Sequence, residues 1–457
     1  MKIKTAPKNK FVSTTNACKL CRPMGAAIAF RGVENAVPFL HGSQGCATYM
    51  RRYIISHFNE PIDIASSSLG EKNAVFGGGP NLKLGLDNVS AKYKPSLVGV
   101  ATTCLTETIG DDAPGLIKEY FRERSDKTDL PELVNVSTPS YSGTHMEGFH
   151  GAVQSIVEQL ADENVAPHDA INLLPGFVSP SDIRYLKEVM ADFGRAATIL
   201  PDISETLDGP ALREYPLIPP GGTPLKQIHA MGGAKATIEF GPTLDPNKTT
   251  GTLLEQKHGV KNHLMGLPMG INETDAFFRV LELLTGKPTP ERHQAERDRL
   301  VDAYVDGHKY VSGKRAVIYG EEDLVVGLTA LLAEFGIHPV LCASGGNSGR
   351  LKEAIQAVTK DILPEQPLIR EGHDFYEIAA LTEELKPDLL VGHSKGYPMS
   401  RKLDIPIIRL GFPIHDRLGG QRLLHLGYRG AQQIFDLIAN AMIQKKQDRS
   451  SVGYSYM

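Results

Sequence analysis

The segment 97-LVGVATTCLTETIGDDAPGLIKEYF-121 opens as an apolar, β-branched run, passes a Thr-Thr-Cys turn and continues as a helical stretch. A run that is apolar at successive positions reads as a strand buried on both faces, which is the mark of a parallel sheet covered by helices. The pattern recurs along the chain. Comparable runs are 133-LVNVSTP-139, 171-INLLPG-176, 197-ATILPD-202, 236-ATIEFG-241, 263-HLMGLPMG-270, 315-RAVIYG-320, 338-HPVLCAS-344, 388-DLLVGHS-394 and 405-IPIIRLG-411. Several end in Gly, Pro, Ser or Asp, as strands do where they turn into a helix N-terminus. Amphipathic stretches lie between them, among them 148-GFHGAVQSIVEQLADE-163, 181-SDIRYLKEVMADFG-194, 322-EDLVVGLTALLAEFG-336 and 430-GAQQIFDLIANAMIQKKQ-447. The expected fold class is α/β, built as several doubly wound units with parallel sheets rather than one barrel.

The 457 residues exceed what one core organises, since domains hold about 100–200 residues. Boundaries are expected near 161-ADENVAPHD-169 and in the charged stretch 287-KPTPERHQAERDRL-300, giving units 1–165, 166–300 and 301–457. The composition, 41% apolar and 22% charged, is that of a globular chain, and a formal charge of -4 gives no reason to expect nucleic acid or membrane partners, which favour a basic surface. No apolar run approaches the roughly 20 residues needed to span a bilayer. The N-terminal MKIKTAPKNKFVST lacks the apolar core of a secretory signal, so a cytoplasmic protein is expected. There, the five cysteines are expected as thiols or metal ligands rather than disulfides.

Three of those cysteines stand where a turn meets a helix start. Cys104 ends the opening strand, Cys46 ends 41-HGSQGC-46, and Cys21 begins 21-CRPMGA-26, with proline early where a missing N–H is tolerated. The dipole and free N–H groups of a helix start favour thiolate. Thiolates are soft ligands for iron–sulfur clusters, zinc or copper. The Cys18–Cys21 pair is also open to a zinc clip or a redox pair. A zinc clip lacks a second pair of ligands here, and a redox motif wants a preceding strand, where this chain is polar. Cys342, inside an apolar run, reads as a small buried hydrophobe. Ser140, in 137-STPSYSGTH-145, is a turn residue or a hard oxygen donor for oxidised iron.

Five motifs appear in order: C-x-P-x-G-A at Cys21, HGSQGC at Cys46, FGGGPNL at 76–82, TTCLTETIGDD at Cys104 and TPSYSGTH at 138–145. In these, and in GGTPL at 221–225, YGEEDLVVGL at 319–328, SKGY at 394–397 and GFPIHDR at 411–417, the chain resembles the β-type subunit of the nitrogenase component 1 family. The resemblance implies three Rossmann-like domains and an α-type partner in an α2β2 heterotetramer. It implies an eight-iron, P-cluster-type iron–sulfur cluster at the α/β interface, fed by an ATP-dependent iron–sulfur reductase, the iron protein. On matching positions Cys21 and Cys104 would be terminal ligands and Cys46 the bridging one. Ser140 would be the oxygen donor to an oxidised cluster. The large cofactor would lie in the α-type subunit. The full set of donors favours a reductase, such as a methylthio-alkane reductase. The CKLCRPMGA and VGYSYM ends resemble the cofactor-assembly scaffold subunit instead, and the N-terminal extension of many dinitrogen reductases is not seen. A third reading is a self-contained four-iron carrier held by Cys18, Cys21, Cys46 and Cys104.

Other features have plainer readings. Arg51, Arg52, His57 and Glu60 are expected on a solvated or ion-paired helix face. Asp111 and Asp112 are expected at a helix start. FGGGPNL lacks the Lys-Ser/Thr of a phosphate-binding loop and is expected to allow close packing. Segment 344-SGGNSG-349 is expected as a strand–helix connection. His393 and Lys395 are expected at a strand end facing a crevice.

Overall fold

A computed structural model describes residues 16–452. The basic segment 1–15 and the final GYSYM therefore lie outside the described residues. The described residues fold around three sheets, and every strand pairing among them is parallel. The first has order β2-β1-β3-β4, from β1 (Ala36–His41), β2 (Ala65–Ser66), β3 (Leu97–Thr102) and β4 (Glu132–Val136). The second has order β6-β5-β7-β8, from β5 (Ile171–Leu174), β6 (Ala197–Ile199), β7 (Ala236–Phe240) and β8 (Asn262–Met265). The third has order β11-β10-β9-β12-β13, from β9 (Arg315–Gly320), β10 (His338–Ser344), β11 (Leu368–Arg370), β12 (Leu389–Gly392) and β13 (Ile407–Arg409). Each of the ten apolar runs contains a strand. β1, β3, β5 and β7 are buried along their whole length, as strands covered on both faces must be.

β1 is an interior strand with a proline in it. Pro38 lies opposite Gly99 of β3, while β2 pairs only with Phe39 and Leu40. The donor that Pro38 lacks is thus not needed on the β2 side, which reconciles a central proline with the ladder.

The charged stretch 287–300 is mostly helical. It begins the helix Glu291–Val311, which packs against the C-terminal helix Gly427–Asp448. Several of its charges are paired: Arg297 meets Asp275 at 2.9 Å, and Glu296 meets Arg429 at 3.2 Å. Isolated bridges Val33–Thr223, Met269–Gly427 and Ala17–Asp374 tie the three sheets' surroundings together. Among the described residues, no helix is long and apolar enough to cross a membrane.

A buried carboxylate closes one of these joints. Asp182, in the first turn of the helix Pro180–Asp192, accepts from the backbone N–H groups of Ser179 (3.0 Å), His425 (2.6 Å) and Leu426 (3.1 Å). It also meets His425 Nδ1 at 2.8 Å. Burial opposes its charge, but His425 and the backbone donors outweigh it, so its pKa lies below the ordinary value. Asp182→Ala is expected to destabilise the protein by about 3–5 kcal/mol in denaturant titrations, because four donors lose one acceptor. A depressed carboxylate pKa stabilises above the unfolded value of about 3.9 and stops doing so as pH falls through the folded value. The gap between wild type and variant should therefore narrow in acid below about pH 4 and hold constant above it.

Candidate functional site

The carboxyl ends of β1, β3 and β4 form one rim of the first sheet, where open α/β sheets place their ligands. Each end delivers one of the expected residues. After β1, Ser43 caps the helix Gln44–Phe58, and Cys46 sits in its first turn with Ser43 Oγ 3.5 Å from its sulfur. After β3, Thr103 caps the helix Cys104–Ile109, whose first residue is Cys104. After β4, the short turn Ser140–Ser142 carries Ser140. The fourth comes from the other direction. Cys21 is the extended N-cap of the helix Arg22–Arg31, with Pro23 in its first turn.

Ser140 links two of the thiols. Its N–H donates to Cys104 Sγ at 3.2 Å, and its Oγ accepts from the N–H of Arg22 at 3.2 Å, directly after Cys21. The glycine of C-x-P-x-G explains how Cys21 reaches this rim. A Cβ at Gly25 would lie 1.7 Å from the carbonyl oxygen of His145, and one at Gly148 would lie 1.8 Å from that of Arg22. Helices Arg22–Arg31 and His145–Leu160 therefore touch backbone to backbone, and only glycine at both crossings permits it.

Cys21, Cys46 and Cys104 are all half-buried. Burial raises the Cys21 thiol pKa, and the neighbouring Cys104 and Cys46 add to this as like charges, while a hydrogen bond from Ser140 opposes it. Cys21 thus lies within electrostatic reach of both other sulfurs. Cys18 does not belong with them. It is buried among Val317, Tyr319 and Leu341 of the third sheet's core, its sulfur 3.7 Å from His393 Nε2, and burial pushes its pKa to about 12. Cys342 is buried in β10 beside Thr329 Oγ1 at 3.2 Å, and burial pushes it likewise to about 12. Among the described residues, no three His, Cys, Asp or Glu side chains could hold a single metal ion, so a zinc clip at Cys18 and Cys21 has no footing.

The surroundings sort the remaining expectations. Asp112 does cap a helix, Ala113–Glu123, accepting from Gly115 N–H at 3.1 Å. Asp111 instead accepts from Gly78 N–H at 3.0 and 3.1 Å and faces His41 Nε2 at 3.2 Å. A Cβ at Gly78 would be 2.5 Å from that carboxylate, so the glycine run serves close packing beneath the rim. In 344–349 the N–H groups of Gly349 and Leu351 meet the Glu371 carboxylate at 3.0 and 3.2 Å. The turn is a strand–helix connection filled by the chain's own anion.

Two expectations are corrected. His57 is not on a solvated face: it is buried, accepts from Ile414 N–H at 2.9 Å, and is pushed down to about 3 by burial. His393 is buried too, and Lys395 Nζ donates to the Ala17 carbonyl at 2.9 Å, so this pair grips the N-terminal segment rather than facing an open crevice. Sequence reasoning also passed over His145 and Glu321, a buried pair with His145 Nε2 3.2 Å from Glu321 Oε1. Both stand inside quoted motifs. The available signal was an ionisable residue at the mouth of each apolar helix, His145 before GFHGAV and Glu321 before DLVVGL.

Apolar side chains surround the thiol rim. Tyr49 lies on the Cys46 helix and Tyr141 follows Ser140. Val75 and Phe76, each 77% exposed, end a helix that packs against Cys104–Ile109. Exposed aromatic and aliphatic residues around half-buried thiols leave an unfinished surface.

Comparison with known proteins identifies the family of the fold. The family model described as nitrogenase component 1 type oxidoreductase matches residues 21–443. The chain is 34% identical over 433 residues to the nitrogenase molybdenum-iron protein beta chain of Clostridium pasteurianum, covering 94% of this chain and 93% of that one. It is 34% identical to the nitrogenase vanadium-iron protein beta chain of Trichormus variabilis, with 97% of each covered. A solved structure, "Nitrogenase Cp1 at pH 6.5", superposes with a TM-score of 0.94 at 32% identity, over 98% of both chains. With its three parallel sheets and thiol-bearing rim, the chain belongs to the nitrogenase component 1 type oxidoreductases, as a β-type subunit.

Proposed function

We propose that this chain is the β-type subunit of a cytoplasmic nitrogenase-like reductase. Cys21, Cys46, Cys104 and Ser140 hold its half of an eight-iron, P-cluster-type iron–sulfur cluster shared with an α-type subunit in an α2β2 assembly. The observation that carries this reading is the convergence of three half-buried thiols, each at the start of a different helix, with Ser140 joining Cys104 to the residue after Cys21.

The donor set fits such a group. Three sulfurs are the soft ligands that iron–sulfur clusters use, and helix starts favour their thiolate form. Ser140 N–H already points at a sulfur, as donors do when they tune a cluster's potential. Ser140 Oγ stands ready as a harder donor beside the same thiols. Three ligands are too few to enclose a large cluster, and the exposed rim of Tyr49, Phe76 and Tyr141 is where an α-type subunit would close it. When bound, the cluster supplies a one-electron relay between an ATP-dependent iron protein and the cofactor of the α-type subunit. The chain's own part is to fix the sulfurs, to supply N–H donors and to exclude water on its side. In our reading the complex is a reductase of this kind, of which a methylthio-alkane reductase is one example, with the cofactor-assembly scaffold as the alternative role and dinitrogen reduction a further one.

Three results are expected. In the metal-free chain, alkylation mapped by mass spectrometry should label Cys21, Cys46 and Cys104 under native conditions and Cys18 and Cys342 only after unfolding. In the assembled complex, Cys46→Ala should abolish interface iron, whereas Cys18→Ala should leave iron content and the cluster's spectroscopic signal intact. Loss of the signal in Cys18→Ala would restore the self-contained four-iron reading. Assay of the complex with its iron protein and ATP should give alkane or thiol from a methylthio compound. Ammonia from dinitrogen would reassign the substrate, and transfer of a precursor cluster with no turnover would replace the reductase by an assembly scaffold.

A further inference from the structure

The segment carrying Cys21 is held from both sides, and one side is a different part of the chain. Residues 16–18 are fastened to the third sheet's surroundings. Phe375 N–H donates to the Asn16 carbonyl at 3.2 Å, Ala17 bridges Asp374, and Lys395 Nζ reaches the Ala17 carbonyl. A Cβ at Gly345 would lie 2.3 Å from the carbonyl oxygen of Cys18, so this contact is also backbone to backbone.

Leu20, the residue before Cys21, is held by one residue twice. The N–H of His145 donates to the Leu20 carbonyl at 3.0 Å, and the Leu20 N–H donates to His145 Nδ1 at 3.3 Å. Accepting at Nδ1 requires its lone pair, so a neutral ring carries its proton on Nε2. That nitrogen lies 3.2 Å from Glu321 Oε1, and both residues are buried. The residue after Cys21, Arg22, is held by Ser140 Oγ. Cys21 is thus the one residue between two anchors, of which one depends on the tautomer of His145 and so on Glu321.

We propose that His145 and Glu321 are positioning residues for Cys21. Glu321 takes the Nε2 proton of His145 in a hydrogen bond, which leaves Nδ1 free to hold Leu20 and fixes where the Cys21 sulfur stands. The proposal rests on the reading of Cys21 as a cluster ligand. Neither residue is among the four proposed donors, and His145 contacts Leu20 rather than Cys21, so their effect passes through the backbone of residues 20 and 21. Outer partners of this kind typically alter metal affinity about 10- to 100-fold.

Asparagine and glutamine at position 145 separate this role from a general contribution to folding. An Asn side-chain oxygen falls near the Nδ1 position and can accept from Leu20, whereas Gln reaches toward the Nε2 position and Glu321. In the purified complex, His145→Asn should keep the wild-type iron content and midpoint potential of the interface cluster. His145→Gln should release iron to a chelator about tenfold more readily and show a shifted potential. Glu321→Gln retains an acceptor for Nε2–H and should behave as wild type, while Glu321→Leu should behave as His145→Gln. Equal iron retention and equal potentials in the Asn and Gln variants, whatever their melting temperatures, would overturn the proposal. Cys21→Ala in the same complex checks the reading beneath it. If that variant keeps its iron, Cys21 is not a ligand and the positioning role falls with it, whereas iron loss there with indifferent His145 variants defeats the positioning role alone.

Discussion

Two glycines facing two carbonyl groups set the architecture of the thiol rim. Gly25 and Gly148 let the helices Arg22–Arg31 and His145–Leu160 meet with no side chain between them. The contact is unusually demanding, because a single methyl group at either position would require the backbones to separate. In return it fixes two helix starts relative to each other. One start presents Cys21, and the other follows directly on the turn that presents Ser140. The hydrogen bonds between Ser140, Arg22 and Cys104 are possible only because that spacing is rigid.

The fold then divides its cysteines by burial. A fully buried thiol with no cationic neighbour stays protonated and inert, as Cys342 does between the helices of the third sheet. Cys18 has the same fate three residues before Cys21, although the sequence pairs the two in a C-x-x-C. Direction decides it: the chain at 17–18 turns toward Tyr319 and His393, and at Cys21 it has turned back to the first sheet's rim. Sulfurs at the rim keep partial exposure, N–H donors and each other's company, which is the environment in which thiol chemistry is available.

Most of the fold was legible because parallel sheets buried on both faces leave continuous apolar runs, and ten such runs each hold a strand. The three strands without such a run show the limits of that signal. β1 is interrupted by Pro38, which argues against a central strand until the shortness of β2 is known. β2 and β11 have two and three residues and exist through their neighbours rather than their own pattern. For the candidate site, helix-start chemistry singled out Cys21, Cys46 and Cys104, and the order of motifs added Ser140. His145 and Glu321 were not, because their meaning lies in a contact across 176 positions of sequence. His57 was misplaced for a similar reason: its helix looks amphipathic locally, and only the arrival of Ile414 covers it.

The grip of the third sheet's surroundings on residues 16–20 has a temporal consequence. Ala17 and Cys18 are fastened by Lys395 and His393, partners 378 and 375 positions away. During synthesis from the N-terminus, residues 16–18 emerge early and acquire these partners last. Contacts of such long sequence range form late, after loop closure has been paid for by the whole intervening chain. The first sheet can assemble its β1, β3 and β4 rim early, and His145 and Ser140 can hold residues 20 and 22 beside it, but residues 16–18 wait for partners near 375 and 395. The approach to Cys21 is therefore fastened along its whole length only on a finished polypeptide.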